Sequence, residues 1–291
     1  MNHTSNLRGI GFLLLAGFVF VLNDSMMKLA LVSLPPYEVL VLRGGFGAVI
    51  ATVFLGFSGE LKTWRQALNR FVFLRAGLEA GAILTYILAL AHAPIGDVTA
   101  IFQTTPLLVI LGMVIIHREK ASWMRLGLVI LGFGGALLVA QPGQGTISPF
   151  VMFAFVTTVF AALRDLAGRY IPTSVPPLLS TLVTIILVFT PALFIGLAAE
   201  DWMMPQGTVW IIGFGAGLFM MLGHFFTLLA YKNASAQAVA PFYYSFMIFA
   251  VAMGYFIFGD VPNLVAFLGM AIIMGSGLVL VALERRRPKP A

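Results

Sequence analysis

The sequence contains no cysteine and few charged residues: only 10% of its 291 residues are charged, whereas 60% are hydrophobic. Without cysteine there is no disulfide, thiolate nucleophile or cysteine-based metal site. Soluble proteins carry about 25% charged residues, so this chain has too few to cover a water-facing surface. The composition predicts an integral membrane protein with the lipid bilayer as a partner. It argues against nucleic-acid binding, because the basic residues, which give a net charge of +6, are scattered between apolar runs.

Catalytic motifs are also lacking. The sequence has no HExxH, no GxSxG, no Walker loop and no GxGxxG followed by an acidic partner, which zinc proteolysis, serine hydrolysis and nucleotide chemistry require. We therefore expect neither an enzyme nor a bound cofactor or metal.

Long apolar runs dominate the chain. A helix needs about 20 apolar residues to cross a bilayer, and barrel strands would alternate polar and apolar residues. These runs are continuous, so the sequence predicts an all-α integral membrane protein with ten transmembrane helices. The predicted spans are 8–30, 36–57, 70–91, 95–116, 122–140, 148–169, 176–198, 207–230, 236–258 and 262–283.

Basic residues separate the two membrane faces. Ten spans place both termini on one side, and Lys28 is the only basic residue predicted at the other side. By the positive-inside rule, both termini are predicted to be cytoplasmic. The basic residues predicted on that side are Arg8, Lys62, Arg65, Arg70, Arg118, Lys120, Arg125, Arg169, Lys232, Arg285, Arg286, Arg287 and Lys289.

The two halves of the chain resemble each other. An Asp, a basic residue four positions later and a Pro-Pro pair recur at an offset of 141 residues, as Asp24, Lys28 and 35–36 and again as Asp165, Arg169 and 176–177. Each half has five predicted spans, an odd number, so equivalent helices cross in opposite directions. We predict two inverted five-helix repeats, residues 1–145 and 146–291. Such repeats can rock about a central site, which favours a transporter of a small molecule.

Two segments carry a family resemblance: APIGDVTAIFQTTPLLVILGMVIIHREKASWMRLGLVILGFGGALLV and AQAVAPFYYSFMIFAVAMGYFIFGDVPNLVAFLGMAIIMGSGLVLV. The chain resembles the ten-helix EamA-type branch of the drug/metabolite transporter superfamily. The resemblance implies a bacterial inner-membrane permease whose spans 1, 3, 4, 6, 8 and 9 surround a cavity, with spans 5 and 10 peripheral. It is slightly closer to riboflavin and S-adenosylmethionine uptake members than to amino-acid exporters. Export, a ligand sensor without net flux, and a homodimer all stay open.

Polar residues inside the spans are the candidate site, because intramembrane charges are costly. Arg75 and Glu79 share a face of span three at i, i+4, and Tyr86 faces the same way. The two charges can neutralise each other as a structural pair, or Glu79 can bind a cation or proton, with Tyr86 as a ligand contact.

Uncharged candidates lie in spans four, eight and nine. Gln103 can both donate to and accept from a polar ligand, although it can equally bond another helix. Tyr243 and Tyr244 suit a planar ring or simple packing, and they must face different ways. His224 can carry protons or pack.

The remaining charges are predicted gates or anchors. Asp24 and Lys28 of the first repeat match Asp165 of the second, which Arg164 precedes. Arg43 has no equivalent in the second repeat. It either recognises a carboxylate or phosphate or extends its charge towards the interface.

Overall fold

A computed structural model describes residues 3–116, 123–141, 149–172, 174–234 and 236–285, and within them the regular structure is helical. Among the basic residues of the topology prediction, Arg118, Lys120, Arg286, Arg287 and Lys289 lie outside these ranges. The helices are α1 (His3–Ala30), α2 (Pro36–Ser58), α3 (Arg70–His92), α4 (Ile95–Phe102), α5 (Thr105–Ile116), α6 (Trp123–Ala140), α7 (Met152–Gly168), α8 (Pro177–Ala199), α9 (Thr208–Asn233), α10 (Ala236–Val239), α11 (Ser245–Met253) and α12 (Leu264–Arg285).

The helix bounds agree with the predicted spans to within a few residues. In the described ranges, nine helical stretches are long and apolar enough to cross a membrane. The predicted sixth span forms α7, which has 17 residues and follows a short 3₁₀ turn, Pro149–Val151. The count of ten spans stays a prediction. A 3₁₀ helix between α2 and α3, Glu60–Leu68, was not predicted.

Span four is interrupted between α4 and α5. Pro106 has no N–H to donate to the carbonyl of Phe102, one turn earlier, which breaks the helical hydrogen-bond pattern. The hydroxyl of Thr105 donates to that carbonyl instead, at 2.6 Å. The break is therefore tolerated inside the bundle, because the carbonyl that the proline leaves unbonded receives a hydrogen bond from a side chain.

Span nine is interrupted at the equivalent place. It consists of α10, a 3₁₀ turn (Ala240–Tyr244), α11 and a π turn (Gly254–Phe258). Pro241 lies in the 3₁₀ turn, and the hydroxyl of Ser245 donates to the carbonyl of Phe242 at 2.6 Å. In both broken spans a hydroxyl thus donates to a backbone carbonyl near the proline.

Helix packing follows a pseudo-twofold axis. Helix α1 packs on α9, and their equivalents α7 and α3 also pack together; α2 packs on α9 as α8 packs on α3. The equivalent pairs α2 and α8, α4 and α11, and α6 and α12 each contact one another across the axis. Exchanging the two halves leaves this set of contacts unchanged. The predicted all-α, two-repeat fold is confirmed.

Helices α6 and α12 form a peripheral pair. A side chain at Gly135 would meet the carbonyl oxygen of Gly269, and one at Gly269 would meet the carbonyl oxygen of Gly135. Small residues allow such close backbone approach. This pair closes one side of the bundle and leaves the centre to the other helices.

Candidate functional site

A cavity of about 240 Å³ lies between the two halves. Its lining residues come from α1, α2, α3, α4, α7, α8, α9 and α11 and from the break in span four, whereas α5, α6 and α12 contribute none of the described lining residues. The expected set of lining spans is correct but incomplete. Spans two and seven also line the cavity, through Arg43 and Gly44 on one side and Thr181, Thr184 and Ile185 on the other.

The two helix breaks meet at this cavity. The side-chain amide of Gln103 donates to the backbone carbonyl of Tyr243 at 2.6 Å. The two residues are 140 apart, which is the repeat offset in this part of the sequence. Gln103 thus makes the interhelical hydrogen bond that the sequence left as one alternative, and it also lines the cavity. Discontinuous helices at a repeat interface are typical of transporter binding sites.

An ion-pair network lies at the α3–α7 side of the cavity. Arg164 donates to Glu79 at 2.5 Å and to Asp165 at 2.8 Å. The Glu79 and Arg164 side chains are each 16% exposed, whereas that of Asp165 is 44% exposed. The sequence suggested that Glu79 pairs with Arg75. Among the described residues it pairs with Arg164 instead. Helix α7 brings the guanidinium of Arg164 closer to Glu79 than α3 brings that of Arg75.

A second acid lies at the α1–α3 side. The Tyr86 hydroxyl donates to Asp24 Oδ2 and the Asn23 amide donates to Asp24 Oδ1, both at 2.8 Å. Asp24, Asn23 and Tyr86 all line the cavity. Neutral donors hold this carboxylate, whereas a guanidinium holds Glu79.

Two further arginines line the cavity. Arg43 is 5% exposed, and its Nε has no hydrogen-bond partner in the described part of the chain. Arg75 lies against Gly168 of α7, and no carboxylate of the described residues lies within the 4.0 Å of an ion pair from it. The cavity therefore holds guanidinium groups that are not in ion pairs.

Aromatic rings form one wall. Phe20 stacks on Phe246 with ring centroids 6.1 Å apart, and His224 packs edge-on against Phe20 at 5.2 Å. A side chain at Gly17 would meet the Phe246 ring, and one at Gly223 would meet the Phe20 ring. Glycine at these two positions leaves room for the rings. The wall offers flat apolar faces to a planar ligand.

Tyr243 and Tyr244 do not line the cavity. Tyr243 stacks on Phe246, and its hydroxyl lies 3.0 Å from that of Tyr231. Tyr244 is 3% exposed and packs against Gly277 of α12. The two side chains do face different ways, as predicted, and the segment is linked to the cavity through Gln103, which lines the cavity and donates to the backbone carbonyl of Tyr243.

Lys28 ties one end of the bundle together. Its ammonium donates to the carbonyl of Ala93 at 2.8 Å and to Asp260 at 3.2 Å, and it lies 4.9 Å from the centroid of the Phe258 ring. These contacts join the end of α1 to the α3–α4 connection and to the segment after span nine. Its sequence equivalent Arg169 is exposed and donates to the sulfur of Met113 instead.

The family of the chain follows from comparison with known proteins. A family model described as the EamA-like transporter family matches it twice, at residues 7–141 and 148–282. The chain belongs to this family. Each of the two matches covers one half of the two-repeat fold described above.

Relatives of this EamA-like chain align over nearly its whole length. A riboflavin transporter of Vibrio cholerae serotype O1 is 28% identical over 287 residues, 97% of this chain and 96% of the relative. An S-adenosylmethionine uptake transporter of Rickettsia felis is 24% identical over 282 residues, 96% of this chain and 94% of the relative. A crystal structure of another protein shares the fold, with a TM-score of 0.66 at 15% identity over 98% of this chain and 99% of that one.

These findings identify the chain as a multi-pass membrane permease for a small metabolite, and not as an enzyme. They do not favour the export alternative. The predicted resemblance to this family is confirmed.

Several cavity residues were not predicted. Nothing in the sequence distinguishes Phe20 and Phe246 from the other phenylalanines of the chain, of which there are 26 in all. Thr157 and Thr184 were not singled out either, because hydroxyl side chains commonly bond their own helix, as Thr184 does to the carbonyl of Ser180 at 2.9 Å. Asn23 could have been found, since it precedes Asp24 at the repeated position. The sequence shows which spans contain charged residues, but it does not show which helix faces come together around the cavity.

Proposed function

We propose that this EamA-like permease takes up a planar, ring-containing metabolite, such as S-adenosylmethionine or riboflavin, across the bacterial inner membrane by alternating access. The observation that carries the proposal is the cavity between the two halves, where both broken helices meet and where charged groups face an aromatic wall. Ring stacking would hold the flat part of the substrate, while hydrogen bonds from the polar side would orient it.

The topology belongs to the same proposal. Residues 1–145 and 146–291 act as the two inverted repeats, and both termini face the cytoplasm. Lys28 then lies at the outer mouth, and its contacts with Ala93 and Asp260 close that mouth. Rocking of one repeat against the other would break these contacts and expose the cavity to the outside. A homodimer is compatible with this scheme, because the cavity lies within one chain.

Proteoliposomes containing only this protein test the function. They are assayed with radiolabelled riboflavin, S-adenosylmethionine and an amino-acid mixture, each with and without an imposed pH gradient. We expect saturable flux of riboflavin or S-adenosylmethionine, and the response to the gradient decides whether protons are coupled. Binding of a substrate without flux would overturn transport in favour of a sensor, and flux of amino acids alone would overturn the substrate class.

A pair of glutamine variants locates the site. Gln103 lines the cavity, whereas Gln66 is exposed on the 3₁₀ helix between α2 and α3. Gln103→Ala should raise the KM for uptake about tenfold, since a lost hydrogen bond in a closed site is worth about 1 kcal/mol or more. Gln66→Ala should leave the KM unchanged. Equal effects of the two substitutions would argue against the cavity as the binding site.

A further inference from the structure

Arg43 is a buried charge of the cavity that makes no ion pair with the described residues. It is 5% exposed, and its Nε makes no hydrogen bond. Among the residues that the structure describes, no carboxylate oxygen lies within 4.0 Å of its guanidinium. A buried charge without an ion-pair partner is unfavourable, so its presence needs an explanation.

Two structural roles do not explain Arg43: extension of its charge to the membrane interface, and an ion pair with an acid of the cavity. Its Nε is fully buried and the side chain lines the internal cavity, so the group does not extend to the membrane interface. The acids that share the cavity are occupied by other donors: Asp24 by Asn23 and Tyr86, and Glu79 by Arg164.

The backbone around Arg43 is closely packed. Gly44, the next residue, lies against the ring of Phe189 in α8, and Gly217 of α9 lies against the carbonyl of Arg43. A side chain at Gly217 would crowd that carbonyl. Helix α2 is thus fixed between α8 and α9, and this position keeps the guanidinium at the cavity.

A second unpartnered group faces the same space. Asn23 Oδ1 is buried, accepts no hydrogen bond and belongs to a residue that lines the cavity. Buried polar atoms in native proteins are almost always bonded. A free donor on Arg43 and a free acceptor on Asn23 at one internal cavity point to a ligand that supplies both complements.

We infer that Arg43 binds an acidic group of the transported metabolite, a carboxylate or a phosphate. This inference rests on the proposed function and narrows its substrate class. The guanidinium fork matches the two oxygens of either group, and such charge-assisted bonds are stronger than neutral ones. Among the candidates above, S-adenosylmethionine carries a carboxylate and riboflavin carries no acidic group. The permease therefore selects an acid-bearing ring metabolite.

Matched ligand pairs test this selectivity on purified protein. S-adenosylmethionine is compared with decarboxylated S-adenosylmethionine, which keeps the nucleoside, the sulfonium and the amine and lacks only the carboxylate. Riboflavin 5′-phosphate is compared with riboflavin, which lacks the phosphate. We expect the acid-bearing member of at least one pair to bind tenfold or more tightly than the member without that acid, and the pair that responds identifies the acidic group. Arg43→Gln should remove the preference. Equal binding of the two members in both pairs by the wild type would overturn the inference, and so would a preference that survives Arg43→Gln.

Thermal unfolding without ligand gives a second test that needs no substrate. Arg43→Gln should leave the unfolding temperature unchanged or raise it by about 2 °C or more, because it removes a buried charge that makes no ion pair. Arg164→Gln, the matched control, removes a paired arginine from the same cavity and should lower it. If Arg43→Gln lowers the temperature as Arg164→Gln does, Arg43 has a structural partner and the inference fails, whatever the transport assay shows. If no ligand of either pair binds, the unfolding temperatures of these two variants decide whether the inference about Arg43 holds. Absence of flux with the expected unfolding temperatures would instead count against the proposed function.

Discussion

Asp24 of α1 and Asp165 of α7 occupy equivalent positions in the two repeats, but their surroundings differ. Asp24 lines the cavity and accepts hydrogen bonds from the neutral donors Tyr86 and Asn23. Asp165 is 44% exposed and accepts from Arg164, which also binds Glu79 across the cavity wall. The residue before the acid makes the difference: Asn23 in the first repeat and Arg164 in the second.

This difference makes a pseudo-symmetric cavity chemically asymmetric. On the α7 side, Arg164 pairs with Glu79 and Asp165 and holds α3 against α7, whereas the neighbouring Arg75 makes no ion pair among the described residues. On the α1 side, Asp24 and Arg43 remain free of ion pairs among the described residues. The two repeats supply equivalent positions, and we propose that those on the α7 side stabilise the fold whereas those on the α1 side bind the ligand.

Disrupting the ion-pair network of Glu79, Arg164 and Asp165 should have the largest effect on stability and uptake. Glu79→Gln leaves Arg164 without its buried partner, and removal of one member of a buried pair destabilises a protein by about 3–5 kcal/mol. We expect a lower unfolding temperature and loss of uptake. Because the double variant Glu79→Gln/Arg164→Gln removes both charges of the buried pair, it should be more stable than Glu79→Gln alone.

Asp165 provides the control for this network. Asp165→Asn removes the other carboxylate bound to Arg164, but at an exposed position where ion pairs contribute about 0–1 kcal/mol. A double-mutant cycle on the unfolding free energy measures both couplings. Equal coupling of Arg164 to Glu79 and to Asp165 would contradict the distinction between the two sides.

Some of this arrangement could be predicted from sequence because it depends on composition. Span bounds follow apolar runs, so Pro36–Ser58 and Arg70–His92 lie within one residue of their predicted ends. The partner of Glu79 could not be predicted in the same way. Helical spacing places Arg75 next to it correctly, but Arg164 is 85 residues away and competes only after α7 packs on α3.

The contacts of the helix breaks were also beyond the sequence. Pro106 marks a break in span four, yet nothing in the sequence indicates that Gln103 bonds the backbone of Tyr243. The same holds for the partner of Lys28, since Asp260 is 232 residues away. Charge and proline mark candidate positions, while tertiary packing chooses their partners.

The two repeats also differ at the ends of the helix bundle, where Lys28 and Arg169 occupy equivalent positions. Lys28 joins three segments at one end, whereas its equivalent Arg169 is exposed and contacts the sulfur of Met113. Lys28→Met should loosen its mouth by about 1–2 kcal/mol, which corresponds to a 5–30-fold increase in opening. Because the native chain has no cysteine, Thr99→Cys at the cavity gives a single labelling site. Its reaction with a membrane-impermeant maleimide added on the Lys28 side should accelerate by that factor.

Arg169→Met is the matched control for this labelling experiment. It removes a basic residue at the equivalent place, where the structure shows no comparable bridge between segments in the described ranges. We expect labelling of Thr99→Cys from the Lys28 side to change less than twofold. An equal acceleration in both variants would show that the two mouths are not distinguished by the contacts of Lys28.

Three tyrosines that the sequence suggested as ligand contacts differ in their position relative to the cavity, and two of them give the smallest expected effects. Tyr86 lines the cavity and donates to Asp24, whereas Tyr243 and Tyr244 lie outside it. A hydrogen bond to a charged group contributes about 1.5–3 kcal/mol, so Tyr86→Phe should raise the KM for uptake tenfold or more by freeing Asp24 from its orientation. Tyr243→Phe loses only a contact with Tyr231, and Tyr244→Phe loses a hydroxyl that has no partner in the described residues. Both should change the KM less than twofold. A tenfold rise for Tyr243→Phe with none for Tyr86→Phe would move the substrate from the α1 side of the cavity to the face of span nine.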